Sequence, residues 1–153
     1  MGIFVDESET FEIEIWWKEI RDTNNRLVAV EASDEKKAGW NVLRGEFCQA
    51  SSKVFGDILE QATVINHVSM KPVLRTSAVR DGILLRLMKA WSNQKNGEEP
   101  TPLPLARNGS PVIDDLHANI ANWLFVTYVN KTKLSPALKR AVAEAERGQT
   151  PKR

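Results

Sequence analysis

The chain has 153 residues, with 21 Lys and Arg against 20 Asp and Glu and a single cysteine, Cys48. This length allows one ordinary domain with a hydrophobic core, but not two well-filled domains. The balanced charge excludes a global field that would draw the protein to nucleic acid or to an anionic membrane, and one cysteine excludes an internal disulfide framework. We therefore expect a single α+β domain over residues 1–148, followed by a polar tail at 149–153.

The amino terminus, residues 1–10, is acidic and lacks the basic and apolar regions of a signal peptide. The sequence also has no apolar run of the roughly 20 residues that a membrane-spanning helix needs. A lone cysteine fits a reducing compartment. These features predict a protein that stays in the cytoplasm.

Apolar and polar side chains alternate from Phe11 to Lys18, which is the period of a half-buried strand. A second β-prone segment, 26–32, follows a turn-prone segment at 22–25. Two strands joined by a short turn form a hairpin. The sequence therefore predicts an N-terminal β-hairpin or small antiparallel sheet, packed on a mainly helical body.

The next segment carries a pattern of helical spacing. Ser33 and Asp34 are good helix caps, and the apolar side chains that follow at spacings of three and four are Trp40, Leu43 and Phe47. We expect a helix here, although the segment contains two glycines. The stretch 54–74 stays open, because 54–59 could continue a helix while a strand is favoured near 63–69.

The clearest helix begins after Thr76 or Ser77 as its cap. Its apolar side chains recur at spacings of three and four, and they are Val79, Ile83, Leu84, Leu87, Met88 and Trp91. Such a stripe faces the core. We expect residues 77–91 to form a central core helix with an apolar face broader than one neighbour needs.

The stretch 92–110 is predicted to be a proline-rich loop without regular structure. Ser110-Pro111 then predicts a helix start, because proline is favoured at the first helical position. Asp114 and Asp115 would lie in its first turn, where the helix dipole favours carboxylates. The apolar stripe of this helix is Leu116, Ile120, Leu124 and Tyr128, with Trp123 beside it.

Ser135-Pro136 repeats the same start signal for a last helix, which we expect to run to Arg147. Gly148 stands where a C-terminal stop is expected.

No group of residues has the spacing of a catalytic or metal site. His67 and His117 lack a Cys, His or carboxylate partner at a recognised ligand spacing, and a zinc site needs about four ligands. Glu12 and Glu14 lie on the outer face of the predicted strand, as a solvated row does. Cys48 is expected to be a core residue. The sequence therefore predicts a protein that is not an enzyme and holds no metal or cofactor.

Trp16 and Trp17 are adjacent on the predicted first strand and must point to opposite faces. One of them is then exposed or covered by another protein, and exposed tryptophan is enriched at binding hot spots. The alternative is a sheet covered on both faces by the chain's own helices. We expect binding of a protein partner, and self-association, through apolar side chains that include Trp16, Trp17, Leu84, Met88 and Trp123.

Residues 80–130 combine four features: a predicted helix that ends in Trp91, a turn at Asn96-Gly97, a Pro-Leu-Pro-Leu stretch at 102–105, and a final helix over 112–124. In these features the segment resembles the C-terminal half of the tail assembly chaperones of long-tailed bacteriophages. The N-terminal strand before a helical body is similar too.

The resemblance implies a non-enzymatic protein of the host cytoplasm that coats the helical tape-measure protein during tail morphogenesis. Its broad apolar faces would cover aggregation-prone helices without covalent chemistry. No nucleic acid or membrane is expected as a partner. One alternative is a structural virion component, such as a tail, connector or minor capsid protein. Another is a small regulatory binding protein of a bacterial host.

Overall fold

A computed structural model describes residues 3–147. The strands of this range are β1 (Thr10–Arg21), β2 (Leu27–Ser33), β3 (Asn41–Cys48), β4 (Thr63–Ile65), β5 (Pro72–Leu74), β6 (Met88–Gln94), β7 (Thr101–Leu103), β8 (Ala106–Arg107) and β9 (Ser110–Pro111). The helices are α1 (Ser52–Ala62), α2 (Thr76–Leu87), a 3₁₀ turn (Val112–Asp115), α3 (Ala118–Thr132) and α4 (Ser135–Arg147).

The main sheet has five strands in the order β2-β1-β3-β6-β7, and every neighbouring pair is antiparallel. Strands β4 and β5 form a separate hairpin, as do β8 and β9. Helices α2 and α3 pack against one face of the main sheet, which we call the inner face. The predicted α+β class is confirmed, and of the two predicted arrangements, a hairpin or a small antiparallel sheet, the structure has an antiparallel sheet, with five strands.

The hairpin of β1 and β2 is confirmed. Its turn is held by the Asp22 carboxylate, which accepts hydrogen bonds from the backbone N–H groups of Asn24 and Arg26, both at 2.9 Å. Asn25 has a φ of 59°, a left-handed conformation that asparagine tolerates better than most residues. The turn residues therefore fix the register of the two strands.

The core lies between the inner face of the sheet and the helices. The buried side chains of the sheet include Ile13, Ile15, Leu43 and Phe47. Those of the helices include Val79, Ile83, Leu84, Leu87, Ile120, Leu124 and Tyr128. The predicted inward stripe of the central helix is thus confirmed for Val79, Ile83 and Leu87.

The helix predicted from Ser33 or Asp34 to Phe47 is wrong, because residues 41–48 form the central strand β3. Leu43 and Phe47 are four residues apart, and four is a multiple of the strand period as well as close to the helical one. Both side chains are buried on the inner face. Gly45 lies between them, opposite Ile13 and Trp91 in the ladder.

The predicted helix 77–91 ends earlier, at Leu87, and Trp91 lies on strand β6. Trp91 is still buried, with 6% of its surface exposed. Trp91 is four residues from Leu87, a spacing that again fits both the helical and the strand period. The segment forms a strand because it pairs with β3. The stretch 92–110 is also not a plain loop, because the end of β6, all of β7 and β8 and the start of β9 lie within it.

The open stretch 54–74 contains the rest of α1 and the hairpin of β4 and β5. The favoured strand near 63–69 is present as the short β4, Thr63–Ile65. His67 does not lie on a strand, since residues 66–71 form the turn between β4 and β5.

The helix predicted to begin at Ser110-Pro111 begins later. Ser110 and Pro111 form β9, a short 3₁₀ turn follows, and α3 starts at Ala118. Asp114 and Asp115 therefore lie in the 3₁₀ turn and not in the first turn of α3. The last helix starts at Ser135 as predicted. The expected stop at Gly148 and the polar tail at 149–153 lie outside the described residues.

Candidate functional site

The adjacent tryptophans of β1 lie on opposite faces of the sheet. Trp17 packs against the core on the inner face, and its indole N–H donates to the side-chain oxygen of Asn93 on β6 at 2.9 Å. Trp16 faces the other way, opposite Ser33 of β2 and Val42 of β3. The outer face of the sheet is open to solvent, and its exposed side chains include Glu12, Ala29, Glu31, Glu46 and Ala90.

Trp16 belongs to a group of apolar side chains on this outer face. We call Trp16, Trp40 and Val42 the outer strip; each of the three is partly exposed. The ammonium group of Lys18 lies 5.1 Å from the centre of the Trp40 ring, and that of Lys37 lies 6.0 Å from it. Both distances suit cation–π attraction. The strip is thus an aromatic surface with cations at one end.

Ion pairs border the strip on its other side. The guanidinium of Arg44 donates to the Glu14 carboxylate at 3.1 Å, lies 3.7 Å from Glu12, and donates to the Gln94 side chain at 2.7 Å. Desolvation, and then the neighbouring Glu14 carboxylate, raise the pKa of Glu12. Glu12 and Glu14 are therefore partners of one arginine, and the depression beside Glu12 and Arg44 measures only about 120 Å³, below the usual size of a small-molecule site.

Three other residues were expected to bind a partner. Leu84 and Met88 are 1% and 3% exposed, and the chain's own core covers them. In this fold they contribute to packing and not to a binding surface. Trp123 lies on α3, partly exposed and packed against the edge of the core.

A second apolar surface, which the sequence did not reveal, lies on the inner face beyond the N-terminus of α3. It is a cleft with a volume of about 220 Å³. Its lining residues, which define the aromatic cleft, are Trp17, Glu19, Leu43, Trp91, Asn93, Leu103, Leu116, His117 and Ile120. Small-molecule sites usually measure about 300–1,000 Å³, so this cleft suits one or two side chains of another protein better than a cofactor.

The polar atoms of the aromatic cleft are largely used inside the fold. The indole N–H of Trp91 donates to the Pro104 carbonyl at 2.8 Å, and that of Trp17 is bound to Asn93. Glu19 and His117 are exposed at the rim, and Glu19 accepts from Arg21 at 2.7 Å. The walls are therefore mainly apolar, and the titratable lining residues, Glu19 and His117, are exposed.

A larger depression of about 550 Å³ lies where the N-terminal segment passes Gln49 and Ala50. Part of its wall is formed by Ile3 and Phe4, which are 92% and 88% exposed. Because these side chains stand in solvent, the depression is an open groove and not an enclosed site.

The two edges of the main sheet are poorly suited to accept an extra strand. The edge strand β7 has only three residues and contains Pro102, which lacks a backbone N–H. On the opposite edge, the ladder between β1 and β2 has a bulge. Ile20 of β1 pairs with Ala29, but the next residue, Arg21, pairs with Leu27, so one residue of β2 is skipped. The side chain of Asn119 also donates to the Val30 carbonyl of β2 at 2.9 Å. Such features discourage edge pairing.

Groups with potential chemistry are dispersed. His67 is in the turn between β4 and β5, and His117 precedes α3 and is exposed. Among the residues that the structure describes, no three His, Cys, Asp or Glu side chains converge as metal ligands would. Cys48 is buried in the core as expected, and its burial raises the pKa of the thiol.

Of the helices described between residues 3 and 147, none combines the length and the apolar character needed to cross a membrane. Comparison with family models, curated proteins and solved structures finds no match in any of the three.

Proposed function

We propose that this protein is a non-enzymatic binding protein that covers an apolar helical surface of a partner with the outer face of its sheet. The observation that carries the proposal is the position of Trp16, which lies on the face opposite the chain's own core. An indole held on a rigid strand loses little conformational entropy on binding. It also offers a large apolar area, which is why tryptophan dominates many interfaces.

The size and charge of the outer strip favour reversible binding. Three partly exposed side chains form its apolar centre, whereas a stable interface uses about 20–30 residues on each side. The surrounding charges have both signs, with Lys18 and Lys37 at Trp40 and the Arg44 ion pairs near Trp16. Such a rim steers and orients a partner more than it tightens binding.

We further propose that the partner is the tape-measure protein of a long-tailed phage and that the chain acts as a tail assembly chaperone in the host cytoplasm. The segment that resembles these chaperones, residues 80–130, comprises most of α2, strands β6 to β9, the 3₁₀ turn and most of α3, and its first helix ends at Leu87 and not at Trp91. Weak, repeated contacts would keep long apolar helices apart until tube subunits replace them, so tight binding would be a disadvantage.

Co-expression with the tape-measure protein of a long-tailed phage tests the proposal. The wild-type chain should keep that protein soluble and co-purify with it, whereas Trp16→Ser should lose both effects while remaining folded. Leu85→Ser is a matched control, because Leu85 is a 48% exposed apolar residue on α2, away from the outer strip.

Equal co-purification of the Trp16→Ser and wild-type chains would contradict the use of the outer strip. Finished particles provide a separate test. A chaperone should be absent from them, so stoichiometric amounts of this chain in purified virions would favour the structural virion component instead.

A further inference from the structure

The connection between β2 and β3 has to cross β1, because β1 lies between these two strands in the main sheet. Strand β2 ends at Ser33, the partner of Trp16 in the ladder. Strand β3 begins at Asn41, the partner of Trp17. Strand β1 itself continues for several residues beyond this level in both directions. Residues 34–40 therefore pass over one face of β1 at the two tryptophans.

The crossing lies on the outer face of the sheet. Lys18 points to the same side as Trp16, and its ammonium group lies 5.1 Å from the centre of the Trp40 ring, at the end of the crossing. On the inner face at this level, Trp17 packs against the core. Trp16 faces away from that core and is nevertheless only partly exposed. Residues 34–39, which we call the strap, are placed to cover it.

The strap is loosely held. All six of its residues are exposed, so it buries little apolar surface. The hydrogen bonds that the described residues show for it are local. The N–H of Glu35 donates to the Ser33 hydroxyl at 3.1 Å, and the N–H of Trp40 donates to the Lys37 carbonyl at 3.2 Å. A segment with few buried contacts and a solvated backbone opens at a low free-energy cost.

A cation–π contact ties the strap to the outer strip, and a glycine lies beside this contact. The ammonium group of Lys37 is 6.0 Å from the centre of the Trp40 ring. Gly39, between these two residues, has a φ of 81°, and nothing lies within 4 Å of a Cβ built there. Glycine rotates freely in this region. A rotation at Gly39 can therefore lift Lys37 off the ring while Trp40 stays in the outer strip.

The connection is also longer than the crossing requires. Two strand spacings measure about 10 Å, whereas seven residues reach about 23 Å when extended. The spare length lets the strap move off the face while β2 and β3 stay paired with β1.

From this arrangement we propose that the strap is a movable cover of Trp16. It lies over the indole in the free chain, with Lys37 as its latch on Trp40, and swings away about Gly39 when an apolar partner surface binds the outer strip. The inference rests on the proposed function for the role of that surface, but the cover is a property of the chain alone. It shields the tryptophan from unproductive contacts until a partner is present.

Acrylamide quenching of tryptophan fluorescence tests the cover without any partner. The difference between each chain and the same chain carrying Trp16→Phe reports the accessibility of Trp16 alone. Lys37→Ala removes the latch, so the quenching constant of Trp16 should rise about twofold, as loss of a cation–π contact at an exposed site predicts. Lys36→Ala is the matched control, because it removes the same charge from the strap without removing a ring contact.

A second pair of variants tests the hinge. Alanine is strained at a φ near 81°, so Gly39→Ala should loosen the closed strap and raise the quenching of Trp16 as Lys37→Ala does. Gly109 provides the control, because its φ is 80° and a Cβ there also meets open space, but it lies in the turn between β8 and β9. Gly109→Ala should leave the quenching of Trp16 unchanged.

Partner binding provides the remaining readout, since an open strap leaves the outer strip free. Lys37→Ala should co-purify more tape-measure protein than the wild-type chain does. Less co-purification would place Lys37 in the binding surface and overturn its role as a latch. Equal quenching of Trp16 in the wild-type, Lys37→Ala and Gly39→Ala chains would overturn the cover, even if co-purification still depends on Trp16. If quenching rises as expected and no chain binds the tape-measure protein, the cover stands and the proposed function fails.

Discussion

The hydroxyl group of Tyr128 donates a hydrogen bond to the backbone carbonyl of Cys48 at 2.9 Å, which joins the C-terminal half of α3 to the last residue of β3. Its ring also contacts Phe47 and Phe11, with centroids 5.4 and 5.8 Å away. Tyr128 is fully buried, and this burial raises the pKa of its hydroxyl. One side chain thus ties the helical layer to strands β1 and β3 of the sheet.

Replacing Tyr128 by phenylalanine should therefore destabilise the protein without changing its fold. The ring contacts remain, but the buried Cys48 carbonyl loses its side-chain partner, and an unsatisfied buried polar group costs about 1–3 kcal/mol. Urea denaturation followed by far-UV circular dichroism measures the change. A free energy of unfolding equal to that of the wild type would mean that the Cys48 carbonyl has another partner in the folded protein.

Leu87 is the last residue of α2 and is 1% exposed. Truncation to alanine removes buried methyl groups and leaves a cavity, so we expect a loss of about 2–5 kcal/mol in the free energy of unfolding. The neighbouring Leu85, which is 48% exposed, provides the control, because Leu85→Ala should change stability by less than about 0.5 kcal/mol. Equal effects at the two positions would contradict the observed orientation of α2.

Gly45 is required by close packing in the centre of the sheet. A Cβ atom at this position would come within 2.6 Å of the Phe47 ring, which is fully buried and has no room to move away. Gly45→Ala should therefore cost about 1–3 kcal/mol, as other overpacked cores do.

Gly56 in α1 is the matched control, because nothing lies within 4 Å of a Cβ built there. Gly56→Ala should stabilise the protein by about 0.5–1 kcal/mol through higher helix propensity. Thermal melting of both variants tests the pair, and stabilisation by Gly45→Ala would show that β3 tolerates a side chain at this point.

The sequence predicted those elements whose pattern fits one period only. Strict alternation defined β1, and the three-residue spacing of Leu84 and Leu87, which a strand would put on opposite faces, defined α2. The helix predictions for the segments of β3 and β6 are wrong because Leu43 and Phe47, like Leu87 and Trp91, are four residues apart, a spacing that fits a helix and a strand equally. Pairing between strands distant in sequence decided these cases, and no local window contains that information.

The candidate site, like the fold, could be predicted from the sequence only in part. That Trp16 and Trp17 face opposite ways followed from strand geometry alone, and the structure identifies Trp17 as the inward one. The aromatic cleft could not be foreseen, because its walls come from positions as distant as Trp17, Leu103 and Ile120. Only the order of strands in the sheet brings these side chains together.

The two tryptophans should respond differently to the same substitution. Trp17→Ser removes a ring that packs on the core and breaks the hydrogen bond to Asn93, so it should cost several kcal/mol, comparable to the roughly 3–5 kcal/mol of other buried aromatic truncations. Trp16→Ser removes a partly exposed ring on the outer face and should cost much less.

Binding of the partner should show the opposite order of sensitivity to these two substitutions. At about 25 cal/mol per Å² of apolar area, a tryptophan covered by a partner can contribute a few kcal/mol to association before the entropy cost is subtracted. Thermal melting, measured beside binding of the co-expressed partner, separates the two roles. Trp17→Phe, which keeps the ring but not the Asn93 contact, should recover most of the stability. If both serine variants merely unfold and the wild-type chain binds nothing, then the outer strip is part of the folding core and both tryptophans serve the fold alone.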